Sequence, residues 1–117
     1  MDAHTRGQWG EDRAAAWLRR RFWRILERNF TCRMGEIDLI ACNRRYVIFV
    51  EVKLRRDASF AEAREFVSYA KQRRIIAAAG LWLQRHPTQL QPRFDVIEVY
   101  DGGGHVRIKQ IENAFEA

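Results

Sequence analysis

Residues 36–54 read EIDLIACNRRYVIFVEVKL, and this stretch decides the fold of the chain. Two apolar runs, 36–42 and 46–54, flank a short polar segment, which is the pattern of two antiparallel strands joined by a tight turn. In the second run, the residues that face either side of the strand are largely apolar. A strand of this kind is usually central and covered on both faces, so the pattern predicts an α/β domain with a layered core.

The segments on both sides of this hairpin complete one predicted domain. Helical spacing of apolar residues precedes it, and a second helical pattern follows a loop over residues 55–61. The predicted elements are a helix over 7–21, strands over 23–32, 36–42 and 46–54, a helix from about 62 to 85, and strands over 93–100 and 105–111. A chain of 117 residues has enough length for one hydrophobic core, so residues 1–117 are expected to form a single domain.

The composition favours a polyanionic partner. The net charge is +6, and 18 of the 21 basic residues are arginines, whose planar guanidinium groups suit phosphate. No window of about 18 uncharged apolar residues occurs, so a membrane span is not expected. The first residues contain no apolar run, which argues against a secretory signal and predicts a cytoplasmic protein.

The cysteines and histidines do not have the spacing of a metal site. Cys32 and Cys42 fall on successive predicted strands, far apart along the hairpin, and are expected to be free thiols rather than zinc ligands. The three histidines stand alone in the sequence, and surface positions are predicted for His4, His86 and His105.

Charged residues interrupt the apolar rows of the hairpin. Glu51 and Lys53 follow apolar residues on one face, where a buried charge is costly unless a partner or a metal ion compensates it. If Cys42 pairs with Val47 across the turn, Asp38 lies directly opposite Glu51, with roughly 5 Å between the Cβ atoms. Two carboxylates this close favour a divalent cation. A register shifted by one residue would place Asp38 on the opposite face, and the apolar pattern is compatible with both registers.

Both predicted helices add charged side chains to the interior. Glu11 lies on the apolar stripe of the first helix, and Lys71 and Arg74 lie on the apolar arc of the second. Carboxylates that hold a metal ion, a neighbouring lysine and further cations for phosphate oxygens are the groups that metal-assisted phosphodiester hydrolysis requires. Taken singly, such residues more often form surface ion pairs, turns or caps, but their compatible faces favour the catalytic interpretation.

Six parts of the sequence carry a resemblance to a known family. They are GQWGEDRAAAWL (7–18), ILERNFTCRMGEIDLIA (25–41), VIFVEVKLRR (47–56), Lys71 with Arg74, RFDVIEV (93–99) and IENAF (111–115). By these stretches the chain resembles the YraN-like family of bacterial proteins, part of the PD-(D/E)XK nuclease and Holliday junction resolvase-like superfamily. The succession of GEIDLIA and FVEVK is the most specific part of the match.

The resemblance implies a fold and an activity. The fold is a restriction-endonuclease-like αβββαβ core with a mixed sheet flanked by helices. The activity is that of an Mg²⁺- or Mn²⁺-dependent endonuclease on DNA, with branched or damaged structures as candidate substrates. On the superfamily motifs, Asp38 and Glu51 would be the metal ligands, Lys53 would act with them in activating water, and Glu11 would be a further catalytic residue.

Three basic residues are predicted to bind the substrate, and by the resemblance Lys71 takes the basic position of the second helix. Lys71 and Arg74 come from the second helix, and Arg55 stands where the loop that would border the substrate begins. The chain departs from the family pattern at the end of the first helix, where Phe22 occupies a position that is commonly glycine.

Two other functions compete with that of a nuclease. A non-catalytic nucleic-acid-binding module would keep the fold and the basic surface, although the intact acidic and lysine motif weighs against it. A binder of small phosphate compounds could use the glycine run at 102–104, but neither Lys-Ser nor Lys-Thr nor a helix follows it, so a hairpin turn is predicted there. Both a monomer and a homodimer are compatible with the sequence.

Overall fold

The structure is a computed structural model that describes residues 2–55, 67–102 and 104–117. Its elements are α1 (Ala3–Arg20), β1 (Arg24–Cys32), β2 (Gly35–Cys42), β3 (Tyr46–Arg55), α2 (Tyr69–Arg85), β4 (Gln91–Gly102) and β5 (His105–Phe115). The strands form one sheet in the order β1-β2-β3-β4-β5, in which β3 and β4 are parallel and the other neighbours are antiparallel. The predicted α/β class with a mixed sheet is confirmed. No helix within the described ranges is long and apolar enough to cross a membrane.

Strand β3 is the middle strand of the sheet, and a helix covers each of its faces. Val47 and Phe49 pack into a cluster that includes Trp82 of α2. Ile48 and Val50 face the other way and pack with apolar residues of α1. All four β3 residues are fully buried. The prediction of a central strand with two apolar faces is therefore confirmed.

Helix α1 begins before the predicted start at residue 7, and a left-handed residue follows its C-terminal end. Asp2 caps its N-terminus, because the Asp2 side chain accepts a hydrogen bond from the Thr5 N–H at 2.8 Å. At the other end, Phe22 has a φ of 68° and its side chain is 91% exposed. Phe22 therefore lies outside the helix and is not part of its buried face, since α1 ends at Arg20.

Helix α2 begins at Tyr69, later than the predicted start near residue 62. Ser68 has extended backbone angles, and its hydroxyl accepts a hydrogen bond from the Lys71 N–H at 3.2 Å. The prediction of a helix that runs through Ser68 is therefore wrong, because Ser68 is the N-cap of α2. The predicted loop after residue 55 and the predicted first turn of the helix fall on residues 56–66, outside the described residues.

The apolar arc of α2 differs from the predicted one. Its buried residues include Ile75, Ala78 and Trp82, whereas Arg74 is exposed. Placing Arg74 on the apolar arc was wrong, because the sheet contacts the helix about one residue further around its axis. The backbone of Arg74 lies against Gly35, where an added Cβ would come within 3.0 Å of the Arg74 carbonyl oxygen. Helix α2 therefore sits close over the start of β2.

Candidate active site

The β2–β3 register brings Asp38 opposite Glu51. The paired residues run from Cys42 with Val47 to Leu39 with Val50, and one further step gives Asp38 and Glu51. Beyond Leu39 and Val50, a side-chain hydrogen bond joins the two strands, because the Val52 N–H donates to Asp38 Oδ2 at 2.8 Å. The register that places the two carboxylates side by side is the one the structure adopts, and the shifted register is excluded.

The strands depart from regular alternation at Asp38. In β1, Asn29 has a φ of 54°, and its neighbours pair with the neighbours of Asp38. Ile37 and Ile40 both join the cluster under α2, although strict alternation would put residues three apart on opposite faces. Left-handed backbone in a strand is one way to re-aim side chains next to a functional site. The irregularity therefore lies at the candidate site itself.

Three carboxylates influence one another at this point of the sheet. The pKa of Asp38 is raised to about 8, chiefly by burial and then by its contact with Glu51 and the repulsion between the two groups. Repulsion from Glu11 raises it further, while the hydrogen bond from the Val52 N–H opposes the shift. Asp38 therefore holds a proton at neutral pH as long as no cation balances the cluster.

Lys71 supplies one positive charge from α2. Its Nζ lies 2.7 Å from Glu51 Oε2, and the Glu51 side chain is only 8% exposed. Despite this short distance, Glu51 Oε2 has no partner in hydrogen-bond geometry. The contact is thus a charge interaction that leaves a buried carboxylate oxygen with unused acceptor capacity. Of the two cations predicted on α2, Lys71 reaches the acidic pair, whereas Arg74 is exposed.

Glu11 is largely buried and lies beside β1. Its Oε1 is 3.8 Å from Arg28 Nη2, while the same Arg28 atom is 2.6 Å from Asp12 Oδ1. Glu11 lines an open groove together with residues of the first turns of α1 and with Arg28 and Asn29. The predicted inward position of Glu11 is confirmed, and it places a third carboxylate at the margin of the site.

Lys53 and Arg55 lie beyond Glu51 on the face of β3 that α2 covers. Lys53 pairs laterally with Glu98 of β4, and both line a small cleft of about 120 Å³ together with Arg55 and Gln72. Arg55 Nε donates to Glu98 Oε2 at 3.3 Å. Within the described part of the chain Lys53 makes no ion pair of 4.0 Å or less, so its ammonium is available to a ligand.

Glu98 and Tyr100 belong to this cleft region but were missed at the level of sequence. The Tyr100 hydroxyl donates to Glu98 Oε1 at 3.0 Å, and partial burial followed by this hydrogen bond raises the pKa of Tyr100. Both residues alternate with Val99 in the last part of β4, as Glu51 and Lys53 alternate with Val52. That alternation was a usable signal, but it needed the parallel β3–β4 register to show what these residues face.

A second buried carboxylate, that of Asp95, behaves differently. It is fully buried and receives two hydrogen bonds from Arg93, one from the Gln110 side chain and one from the Asn113 N–H, all between 2.8 and 3.1 Å. These four hydrogen bonds satisfy both oxygens of the Asp95 carboxylate, as expected for a structural ion pair. Glu51 lacks such saturation, and this contrast separates the candidate site from the structural network.

The donor set at Asp38 and Glu51 suits a hard divalent cation with water in its shell. Across residues 2–55, 67–102 and 104–117 no three His, Cys, Asp or Glu side chains come together as a coordinating group. Mg²⁺ commonly uses only one or two carboxylates, with waters and substrate phosphates as its other ligands. A cation here would also relieve the repulsion around Asp38 and use the free acceptor capacity of Glu51. Both cysteines are free thiols, as predicted.

Comparisons with known proteins identify a family of bacterial relatives. The model of the "Uncharacterised protein family UPF0102" matches residues 10–99. A UPF0102 protein of Syntrophotalea carbinolica is 46% identical over 111 residues, which cover 94% of this chain and 90% of the relative. Similar proteins occur in Caldanaerobacter subterraneus (39% identity, 100% of this chain and 97% of the relative) and Myxococcus xanthus (40%, 95% and 89%). The matched stretch contains Glu11, Asp38, Glu51 and Lys71.

Proposed function

The chain belongs to the UPF0102 family, and from the geometry of its acidic pair we propose that it is a metal-dependent nuclease that hydrolyses phosphodiester bonds of DNA. The observation that carries the proposal is the pairing of Asp38 with a buried Glu51 whose Oε2 lacks a hydrogen-bond partner. A net charge of +6 supports a polyanionic substrate.

Asp38 and Glu51 would hold the cation, Mg²⁺ or Mn²⁺. When bound, this cation supplies Lewis-acid stabilisation of the charge that develops on the phosphate and lowers the pKa of the attacking water. Asp38 must lose its proton to become a ligand, because its pKa lies near 8 in the free protein. Lys71 would hold the Glu51 side chain in place through their 2.7 Å contact.

Lys53 would complete the reaction centre. Its ammonium group lies on the same face as Glu51 and can hold the attacking water or a phosphate oxygen through hydrogen bonds. The water oxygen forms a bond to phosphorus as the bond from phosphorus to the leaving sugar oxygen breaks. The proton of the water passes to solvent, and the leaving oxygen takes up a proton. In this scheme Lys53 stabilises charge in the transition state rather than binding the metal.

One observation favours a second function, that of a non-catalytic nucleic-acid-binding module. Lys71 already supplies a positive charge at 2.7 Å from Glu51, so the buried carboxylate has charge compensation without a metal ion. A protein of this kind would bind nucleic acid through its basic surface and neither bind Mn²⁺ at this site nor cleave.

Two substitutions at the site test the nuclease proposal. Glu51→Gln removes one negative charge at nearly constant volume, so we expect Mn²⁺ affinity and cleavage both to be lost. Lys53→Ala deletes a competing positive charge, so we expect unchanged or tighter Mn²⁺ binding, together with a loss of about 10²-fold or more in cleavage rate. Glu36→Gln is the matched control, since Glu36 is exposed on β2.

Calorimetry with Mn²⁺, duplex binding in Ca²⁺ and cleavage in Mg²⁺ provide the readouts for all four proteins. The substrates are duplex, single-stranded and branched DNA and their RNA counterparts. If the wild type binds nucleic acid but neither binds Mn²⁺ nor cuts any substrate, the binding-module alternative is correct. If Glu51→Gln cleaves like Glu36→Gln, the acidic pair is not the reaction centre.

A further inference from the structure

The strand register gathers six polar side chains beside the acidic pair. Glu98 pairs with Lys53 on one side and with Lys109 on the other, and Tyr100 pairs in the same way with Arg55 and Arg107. Residues paired laterally in a sheet project from the same face. The two rows form one surface, here named the hairpin patch, which consists of Lys53, Arg55, Glu98, Tyr100, Arg107 and Lys109.

The hairpin patch presents positive charge to solvent. It contains four cations and one carboxylate, and that carboxylate is buried and already receives hydrogen bonds from Arg55 and Tyr100. Arg107 and Lys109 are exposed on β5. The Glu98 charge is therefore buried and paired with the Arg55 side chain, which is 13% exposed, whereas Lys53 is partly exposed and the charges of Arg107 and Lys109 lie at the surface.

The patch is contiguous with the acidic pair. Glu51 and Lys53 are two residues apart on one face of β3, a rise of about 7 Å. Val96, the lateral partner of Glu51, is likewise two residues before Glu98 on β4. A width of three strands corresponds to about 10 Å. A chain of phosphates that reaches Glu51 can therefore continue directly over the patch.

Contacts within the patch hold Tyr100 and Arg107 in place. The Arg107 guanidinium lies 5.3 Å from the centroid of the Tyr100 ring, and the Tyr100 hydroxyl is anchored on Glu98. A cation that is already positioned loses less conformational entropy when it binds a phosphate group. The patch thus combines charge with preorganisation.

We propose that the hairpin patch binds the sugar–phosphate backbone of nucleic acid on one side of the acidic pair. This inference rests on the proposed function for the identity of the polymer, and it assigns backbone binding to the β4–β5 hairpin, in addition to helix α2. Contacts to phosphate position the substrate without reading its sequence. The patch therefore sets the path and the affinity of the substrate, not its base preference.

A pair of double variants tests the patch. Arg107→Ala with Lys109→Ala removes two exposed charges from it, whereas Arg44→Ala with Arg85→Ala removes two exposed charges from the opposite end of the sheet. Binding of a fluorescent DNA duplex is measured in Ca²⁺ from about 50 to 200 mM salt. We expect the patch variant to lose about 1.8 from the slope of log K against log salt and at least about tenfold in affinity. The control should stay within about twofold of the wild type.

Further variants and the cleavage assay separate the possible results. Arg107→Lys with Lys109→Arg retains both charges and should retain the wild-type slope, and Lys109→Gln alone should lose about half of the effect. A patch variant that binds like the control, while the wild type binds and cleaves DNA, overturns the inference and leaves the nuclease proposal intact. Loss of binding only in the patch variant, with no cleavage or Mn²⁺ binding by the wild type, supports the patch and overturns the nuclease proposal. A wild type that does not bind DNA at low salt overturns both.

Discussion

Asp38 and Glu51 are neighbouring carboxyl groups in a largely buried part of the sheet. Burial and the contact with Glu51 both disfavour the ionised form of Asp38, and the hydrogen bond from the Val52 N–H offsets only part of this cost. Replacing such groups by neutral ones is often neutral or stabilising, so the pair is better explained by function than by stability. Asp95, by contrast, is saturated by its neighbours and needs no further partner.

The stability of Asp38→Asn should depend on pH differently from that of the wild type. The folded pKa of Asp38 is about 8 and its ordinary value is 3.8, so the folded protein binds the extra proton between these values. The contribution of Asp38 to the free energy of unfolding therefore falls as the pH rises from about 4 to about 8, and this loss is complete above that. Asparagine does not titrate. We expect the variant to gain about 2 kcal/mol or more, relative to the wild type, between pH 5 and pH 9 in urea unfolding. Parallel stability curves would contradict the assignment.

Metal binding should respond to the same proton. A cation bound at Asp38 displaces the proton, so below pH 8 the Mn²⁺ affinity should rise about tenfold per pH unit and level off above it. Calorimetry in two buffers of different ionisation enthalpy measures the proton released. We expect close to one proton per Mn²⁺ at pH 7 in the wild type and none in Asp38→Asn. An affinity that does not change between about pH 6 and 8 would exclude Asp38 as a ligand.

At the scale of single elements, the end of α1 carries a conformational cost. The Phe22 N–H bonds to the Arg19 carbonyl and the Trp23 N–H to the Leu18 carbonyl, both at 3.0 Å, which is the Schellman pattern. That pattern places Phe22 in the left-handed region, where glycine is favoured.

Phe22→Gly should therefore stabilise the protein. We expect a gain of about 1 kcal/mol in the free energy of unfolding, because glycine adopts this φ without strain. Phe22→Ala removes the same exposed ring but keeps a Cβ, so it should change stability by less than about 0.5 kcal/mol. Urea unfolding of the three proteins measures the difference. Equal effects of glycine and alanine would assign the gain to the lost ring instead of the backbone.

The approach of α2 to β2 depends on Gly35. An added Cβ would meet the Arg74 carbonyl oxygen at 3.0 Å and its Cβ at 3.1 Å, so helix and strand would have to separate. We expect Gly35→Ala to cost about 1–3 kcal/mol. Gly7→Ala is the matched control, because nothing lies within 4 Å of its added Cβ and alanine favours helix α1. Thermal unfolding should show a lower melting temperature for Gly35→Ala and a slightly higher one for Gly7→Ala than for the wild type.

At the scale of the whole molecule, the excess of arginine and the net charge of +6 favour a polyanionic partner. Arginine contacts to phosphate release counterions, and each contributes close to one unit of log–log slope on duplex DNA. With four such contacts we expect DNA affinity to fall about 10²-fold between about 50 and 200 mM salt. Fluorescence anisotropy over a salt series measures the slope. A flat response would exclude nucleic acid as the partner.

Sequence patterns predicted most of the fold but less of the site. Asp38, Glu51 and Glu11 could be found because each is a charged residue in the apolar pattern of its own strand or helix, which is visible without the tertiary structure. The start of α2 and the position of Arg74 could not, since a single capping residue and the helix rotation decide them. The end of β5 was also missed, because Phe115 is held by its ring contact with Phe94, 5.2 Å away on another strand.

By itself, the sequence determined the β2–β3 hairpin, the two apolar faces of β3 and two candidate registers for Asp38, because these depend on neighbouring residues and on strand alternation. Only the tertiary structure decided between the registers. The chosen one puts Ile40 and Phe49 together under α2 and Leu39 and Val50 together under α1, so both faces are buried at once. The contact of Lys71 with Glu51 and the assembly of the hairpin patch also needed the tertiary structure. Strands β3 and β4 are parallel neighbours separated along the chain by α2, and no local pattern encodes which of their residues meet.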